Sequence, residues 1–248
     1  KGNFNYKGNV SSPKELAQLC RSMENMATEL ARLEQVRKDF VSNVSHEIKT
    51  PITAIEGYAT LLQDCSDPKS EAEYVEKILY NTKRLSELVG NVLLLSKVDN
   101  KAIQAKKTTY RLDEQIRQSI VLLEPKWSAK EIEFDVDMDE VEYMGDESLM
   151  FHVWNNLIDN AVKFSPERGL IKIKLKRTDN KITFTVEDEG CGISDEEKKH
   201  IFNKFYQSDS SHRAEGNGLG LSLVKRVIDI MKGEISVERT QGKGSVFT

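Results

Sequence analysis

From about residue 14 to residue 64, apolar positions recur at three- and four-residue steps, with Val41, Val44, Ile48, Ile52, Ile55, Ala59 and Leu62 on one stripe. That period predicts a long helix with a coiled-coil-like seam, interrupted near Pro51. Cys65-Ser66-Asp67-Pro68-Lys69 has turn chemistry. Beyond it Ile78, Leu85 and Val92 stand seven apart, as do Leu88 and Leu95, which predicts a second helix. Two helices joined by a short turn make a hairpin. One hairpin buries a single seam and leaves the rest of its stripe wet, so two copies are expected to pair as a four-helix bundle.

The polar stretch 99–109 carries no apolar period and reads as a linker, after which the pattern changes. Helical spacing is predicted at 112–123, 148–164 and 219–231, the second opened by Asp146 as N-cap and the third stopped at Gly233. Alternating or β-branched residues predict strands at 131–136, 170–176, 182–187 and 234–237, and 244–248 reads as a strand cut short. Helices and strands interleave without a repeat, so a sheet with helices packed on one face is expected.

With 248 residues and 38% hydrophobic content the chain has room for two domains, since domains commonly run to about 100–150 residues. A formal net charge of -4 gives no support for bulk binding to nucleic acid, and none is expected as a partner. Cys20, Cys65 and Cys191 are odd in number, widely spaced and without a CxxC pair. This argues against a disulfide framework or zinc site and fits a reducing compartment such as the cytosol. No apolar run approaches the ~20 residues that cross a bilayer, and no signal peptide opens the chain, so a soluble stretch without direct membrane contact is expected. With a start at Lys1 without methionine and a last strand cut short, a piece of a longer protein is expected.

Candidate chemistry lies first in Ser45-His46-Glu47-Ile48-Lys49-Thr50-Pro51. His46 is two residues from both Val44 and Ile48, and at about 100° per residue it turns about 200° from each, away from the seam and into solvent. Thr50 lies one turn later on the same face, and Pro51 removes the amide that would bond the Glu47 carbonyl, loosening the helix there. A neutral imidazole has a ring nitrogen free to attack phosphorus. A neighbouring carboxylate can fix its tautomer and accept the proton. Taken alone, a histidine on a helix surface usually does nothing.

A second constellation begins on the helix predicted at 148–164, where Asn156, Asn160 and Lys163 share a face. Amide oxygens suit a Mg²⁺ sphere completed by phosphate and water, and Lys163 offers a point charge to phosphate, although an Asn-rich solvent face is the plain alternative. Asp188 follows the strand predicted at 182–187 and precedes Glu189-Gly190-Cys191-Gly192, whose glycines permit close backbone approach. Its carboxylate can accept from the exocyclic amine of adenine, a contact that the carbonyl of guanine does not make; an ordinary Asp-x-Gly turn is the plain alternative. Ile201-Phe202-Asn203-Lys204-Phe205-Tyr206 then precedes the polar run 207–215, which suits a lid anchored by aromatics. Glu215-Gly216-Asn217-Gly218-Leu219-Gly220-Leu221 puts three alternating glycines at the mouth of a helix, where backbone amides can close on phosphate. These glycines lack GxGxxG spacing and follow no strand, which excludes a Rossmann turn.

Ser45-His46-Glu47-x-x-Thr50-Pro51 resembles the H-box of sensor histidine kinases. The order Asn156-x-x-x-Asn160, Asp188-x-Gly190-x-Gly192, Phe202-x-x-Phe205 and Gly216-x-Gly218-x-Gly220 resembles the N, G1, F and G2 boxes of the same family's ATP-binding domain, and the resemblance covers 40–248. It implies a multidomain α and α+β chain: a helical hairpin dimerising as a four-helix bundle at 34–98, a linker at 99–110, and an α/β sandwich of the Bergerat ATP-binding fold at 111–248. The implied activity is ATP-dependent autophosphorylation of His46, then transfer to an aspartate of a response regulator receiver domain, with phosphatase activity toward that regulator. In this scheme Glu47 orients or deprotonates His46, and Thr50 positions water during dephosphorylation. Asn160 ligates Mg²⁺, Asn156 and Lys163 approach phosphate, and Asp188 and Gly192 recognise adenine, with Gly190 in the same ATP-binding loop. Gly216, Gly218, Leu219 and Gly220 line the triphosphate, and Tyr206 flanks the nucleotide. Glu189 stands where the family commonly has Asn, and Gln207 where many members have Arg, so no arginine contact is expected from position 207. Residues 1–33 resemble the second half of a HAMP segment, which implies the cytoplasmic portion of a membrane-anchored parent, the hairpin making it a homodimer; otherwise residues 14–33 extend the bundle helix.

Two other readings fit parts of the chain. A Bergerat ATPase that drives conformational work without phosphorylating itself leaves His46-Glu47 and Thr50-Pro51 unexplained. A silent dimer scaffold that only binds a regulator is opposed by Asn160, Asp188 and the glycines.

Overall fold

The computed structural model describes residues 14–99, 107–179, 181–207, 216–238 and 244–248. The first 13 residues of the HAMP-like stretch, most of the linker, and the lid at 208–215 with Glu215 of the glycine run lie outside the described residues. The chain divides into two compact units, Lys1–Leu85 and Ser86–Thr248.

In the first unit, α1 (Lys14–Gln63) runs unbroken through Pro51, so the expected interruption is absent. Proline removes one intrahelical bond, to the Glu47 carbonyl, and the buried ring repays part of that loss by packing. The chain reverses at 64–67, where Asp67 starts α2 (Pro68–Asp99) as its N-cap. The Asp67 carboxylate accepts from the Ser70 amide at 3.1 Å and the Ser70 hydroxyl at 2.7 Å, and Pro68 takes the first helical position, where no amide hydrogen is needed. Tyr58 and Tyr74 face each other across the hairpin with ring centroids 6.0 Å apart. Of the predicted seam, Val44, Ile48, Ile55, Ala59 and Leu62 are half-buried, while Val41 and Ile52 are exposed. Leu16, Leu19, Met23, Met26, Leu30 and Leu33, at alternating three- and four-residue steps, are exposed as well. No helix among the described residues is long and apolar enough to cross a membrane.

The second unit begins inside α2, where Leu88, Leu95 and Val98 are buried. There follow β1 (Thr108–Arg111), α3 (Leu112–Leu122), α4 (Glu124–Ala129), β2 (Glu133–Met138), β3 (Glu142–Gly145), α5 (Glu147–Phe164), β4 (Leu170–Thr178) and β5 (Lys181–Asp188). After a short 3-10 turn at Glu197–Lys199 come α6 (Gly220–Ile230), β6 (Val237–Glu238) and β7 (Ser245–Phe247). The main sheet has the order β2-β4-β5-β7-β6, parallel between β2 and β4 and antiparallel elsewhere; β1 and β3 form a separate antiparallel pair. Along β4, Ile171, Ile173 and Leu175 are fully buried, whereas Lys174 and Lys176 point to water, so the sheet is covered on one face. Helices α3, α5 and α6 supply the cover, with α5 central. Its Val153, Trp154, Leu157, Ile158, Ala161 and Val162 are buried, and the Trp154 ring lies 4.7 Å from that of Phe184. Each large side chain fully removed from water contributes about 1.5–3 kcal/mol.

Asp146 caps α5 as expected, accepting from the Leu149 amide at 3.0 Å. Elsewhere the predicted elements shift or were missed. The last helix ends at Ile230, and Lys232, with φ of 60°, takes the left-handed position assigned to Gly233. The strand predicted at 234–237 is only Val237–Glu238, because its partner β7 offers register from Ser236 onward, where Ser236 and Thr248 exchange amide bonds. The strands β1 and β3 and the six-residue α4 were not foreseen.

Candidate functional site

Two groups of residues meet the chemistry sought, one in each unit. In the first, His46 is exposed on α1 while Val44 and Ile48 on either side are half-buried. Thr50 is exposed one turn on, and its hydroxyl donates to the His46 carbonyl at 3.2 Å. Glu47 is half-buried, and its carboxylate pairs at 3.5 Å with Arg84 of α2. Adjacent positions on a helix point about 100° apart, so Arg84, rather than the neighbouring imidazole, sets where this carboxylate rests. Nothing in the local sequence around His46 signals Arg84; only the return of α2 brings it there.

The second group surrounds the C-terminal half of α5. Asn156, Asn160 and Lys163 are all half-buried on the face of α5 that its apolar residues leave free. The Asn156 amide nitrogen donates to the His152 carbonyl at 2.7 Å, which directs the side-chain oxygen outward. A Cβ built on Gly220 would collide with that oxygen, and one on Gly216 would lie 2.7 Å from Lys163 Nζ. The glycine run therefore lies directly on the two α5 side chains, and a larger residue at Gly220 would have to displace the Asn156 amide. Gly218 has φ of 65°, a conformation that favours glycine, and its carbonyl accepts from the Phe205 amide at 2.8 Å. Phe205 itself takes φ of 62°, so the aromatic segment and the glycine loop are backbone-packed. Leu219 is fully buried, which leaves its backbone alone to meet a ligand, and its amide donates to Asn217 Oδ1 at 3.2 Å. Tyr206 is half-buried with its ring 5.8 Å from that of His200, and Gln207 donates to the Gly216 carbonyl at 2.9 Å.

Asp188 ends β5 and is 4% exposed, its Oδ1 accepting from the Gly190 amide at 2.8 Å. A Cβ on Gly190 would fall 2.6 Å from the Phe164 carbonyl, so this loop rests on the C-terminal end of α5. Gly192 has φ of 73°. Glu189 turns aside to accept from the Leu170 amide at 3.0 Å, a structural task at the start of β4. The structure thus gathers Asn156, Lys163, Asp188, Gly190, Gly216, Gly218 and Gly220 around the C-terminal half of one helix. Sequence reading missed several residues of this unit. Lys130 donates to three carbonyls at the end of α5, and Asp99 pairs with Lys204 at 2.5 Å and Arg226 at 3.1 Å. The buried Gln115 side chain joins Trp154 Nε1 to the Glu147 carbonyl.

Residues 36–101 match the model of the His Kinase A (phospho-acceptor) domain, and residues 145–248 match that of the histidine kinase-, DNA gyrase B-, and HSP90-like ATPases. The chain is 34% identical over 249 residues to heme sensor protein HssS of Staphylococcus saprophyticus, a match over 100% of this chain and 53% of the relative. Against HssS of Staphylococcus aureus it is 30% identical over 247 residues, covering 100% of this chain and 54% of the relative. The chain therefore spans about half the length of these relatives. Among solved structures, Acinetobacter baumannii histidine kinase AdeS superposes with a TM-score of 0.68 at 25% identity over 82% of this chain and 94% of that one. The catalytic domain of histidine kinase ThkA gives 0.52 at 31% identity, over 57% of this chain and 92% of that one. ThkA in complex with response regulator protein TrrA gives 0.67 at 27% identity, over 88% of this chain and 62% of that one. Matched by the model of a phospho-acceptor domain followed by that of a histidine kinase-type ATPase domain, the chain belongs to the sensor histidine kinases.

Proposed function

We propose that this chain is the cytoplasmic portion of a membrane-anchored, homodimeric histidine kinase that phosphorylates His46 from ATP and passes the phosphoryl group to an aspartate of a response regulator. The observation that carries the reading is the seat of the glycine run on Asn156 and Lys163, which joins an amide oxygen, an ammonium and glycine backbone in one cradle. A neutral amide oxygen, an ammonium and close-packed glycine backbone suit a polyanion. In this reading 34–98 holds the acceptor, 99–110 links and 111–248 binds nucleotide. The complex of a structural relative, ThkA, with a response regulator supports the choice of partner. The exposed stripe of Leu16, Leu19, Met23, Met26, Leu30 and Leu33 supports pairing with a second copy.

The adenine amine is accepted by Asp188, with Gly190 and Gly192 letting the base approach. Gly216, Gly218, Gly220 and the Leu219 backbone meet the triphosphate at the mouth of α6, helped by Lys163, while Tyr206 flanks the nucleotide. Asn160 would hold Mg²⁺, which when bound neutralises phosphate charge, and Asn156, one turn earlier on the same face, would approach phosphate. A His46 ring nitrogen attacks the γ-phosphorus, the bond from that phosphorus to the β–γ bridging oxygen breaks, ADP leaves, and Glu47 takes the ring proton. An aspartate oxygen of the regulator then attacks the same phosphorus and returns the electron pair to the imidazole. In the reverse role, Thr50 positions water for dephosphorylation of the regulator; its hydroxyl oxygen keeps acceptor capacity while the proton is engaged with the His46 carbonyl.

Incubation with γ-labelled ATP tests the reading. Acid-labile, base-stable label should appear in the wild type and vanish in His46→Gln, which still binds nucleotide. Label that persists in His46→Gln, or a wild type that hydrolyses ATP without ever being labelled, would sink it.

A further inference from the structure

The three hydrogens of the Lys130 ammonium are all used at one place. Nζ lies 2.9 Å from the Val162 carbonyl, 2.7 Å from that of Lys163 and 3.0 Å from that of Ser165. These are the last carbonyls of α5 and its cap, where a helix has no further amides to offer and its dipole is negative. The local sequence sharpens the need. The amide that would ordinarily bond to Val162 belongs to residue 166, which is Pro166 and has none. A lysine arriving from the turn between α4 and β2 replaces it.

The backbone of the same residue is tied to the same turn, since the Lys130 carbonyl accepts from the Arg168 amide at 2.8 Å. Glu131 and Arg168, with φ of 52° and 58°, both hold left-handed conformations and are joined by an ion pair of 2.6 Å. Two turns far apart in sequence are thus sewn to the C-terminus of α5 around one ammonium.

What stands on this helix end is the nucleotide cradle. Gly190 rests on the Phe164 carbonyl, between the carbonyls of Lys163 and Ser165 that Lys130 holds, and its amide bonds Asp188 Oδ1. In the same turn the side chain of Lys163 runs to Gly216 of the glycine loop. We infer that Lys130 is a positioning residue for nucleotide: by gathering three carbonyls at the end of α5 it sets the distance between the Asp188 loop and the Lys163–Gly216 contact, without touching the ligand. The inference rests on the nucleotide-site reading above. A planar guanidinium spreads its donors and does not converge on three carbonyls, so the role asks for lysine.

Mg·ATP titrations by calorimetry, thermal melts and His46 labelling at varied ATP, on wild type and Lys130→Met, test it in the full chain. The expected result is a Kd and a KM for ATP raised at least about fivefold, with the labelling rate restored at saturating ATP. Affinity within twofold of wild type, whether or not the melting temperature falls, overturns the positioning role and leaves the nucleotide site standing. A wild type that binds no Mg·ATP overturns both. If Lys130→Met does not fold, Lys130→Arg is read in the same way, and should lose affinity despite its retained charge.

Discussion

Replacing Asp113 by Asn should destabilise the second unit by an amount that shrinks as the solution is acidified. Asp113 is 1% exposed at the start of α3. Its carboxylate accepts from Arg111 Nε at 2.9 Å, Arg111 Nη2 at 2.7 Å and the Val141 amide at 3.1 Å. Chiefly the Arg111 hydrogen bonds, with help from the Val141 amide and against the opposing effect of burial, hold this carboxyl at about 2, below its ordinary 3.8. Because the folded value is the lower one, the stabilisation is complete above the unfolded value and is lost as pH falls from about 4 through about 2. The gap corresponds to about 2 kcal/mol at neutral pH and about 1 kcal/mol near pH 3. Asn keeps an acceptor for Val141 and loses the charge, and Arg111, 40% exposed, can return to water. Both tryptophans, Trp127 and Trp154, lie in this unit, so their fluorescence during urea unfolding reports it alone. A penalty under about 0.5 kcal/mol at pH 7, or one that stays constant from pH 7 to pH 3, would show that the ionised carboxylate is not what stabilises this corner.

Gly220→Ala should weaken Mg·ATP binding by pushing Asn156 aside while leaving the melting temperature level or higher, since alanine is better than glycine in a helix by up to about 1 kcal/mol; unchanged affinity by calorimetry would refute it. Asp146→Ala removes the cap of α5 and should cost about 1 kcal/mol, read by thermal melting, with nothing lost if the Leu149 amide finds another acceptor. Arg84→Ala breaks a half-exposed pair worth at most about 1 kcal/mol, so stability should barely change. The initial rate of His46 labelling at saturating ATP should nonetheless fall, because Glu47 is no longer held; equal rates would remove Arg84 from the acceptor site.

The long periodic helices, the exposure of His46, the cap at Asp146 and the buried strand Leu170–Thr178 were legible because each depends on neighbours within a few positions. The four-residue strands β1 and β3 were not, since each carries little apolar pattern and exists only by pairing with a partner more than thirty residues away. A similar blindness placed a break at Pro51: the missing amide is visible in the sequence, the packing that offsets it is not.

Residue types and spacings were enough to mark which side chains carry charge, amide or glycine, and hence which chemistry is on offer, because those properties are local. Arg84 beside Glu47, Lys130 under the end of α5, and glycines seated on Asn156 and Lys163 emerge only when distant segments meet. Distance, burial and partner are properties of pairs, and the folded backbone alone chooses the pairs.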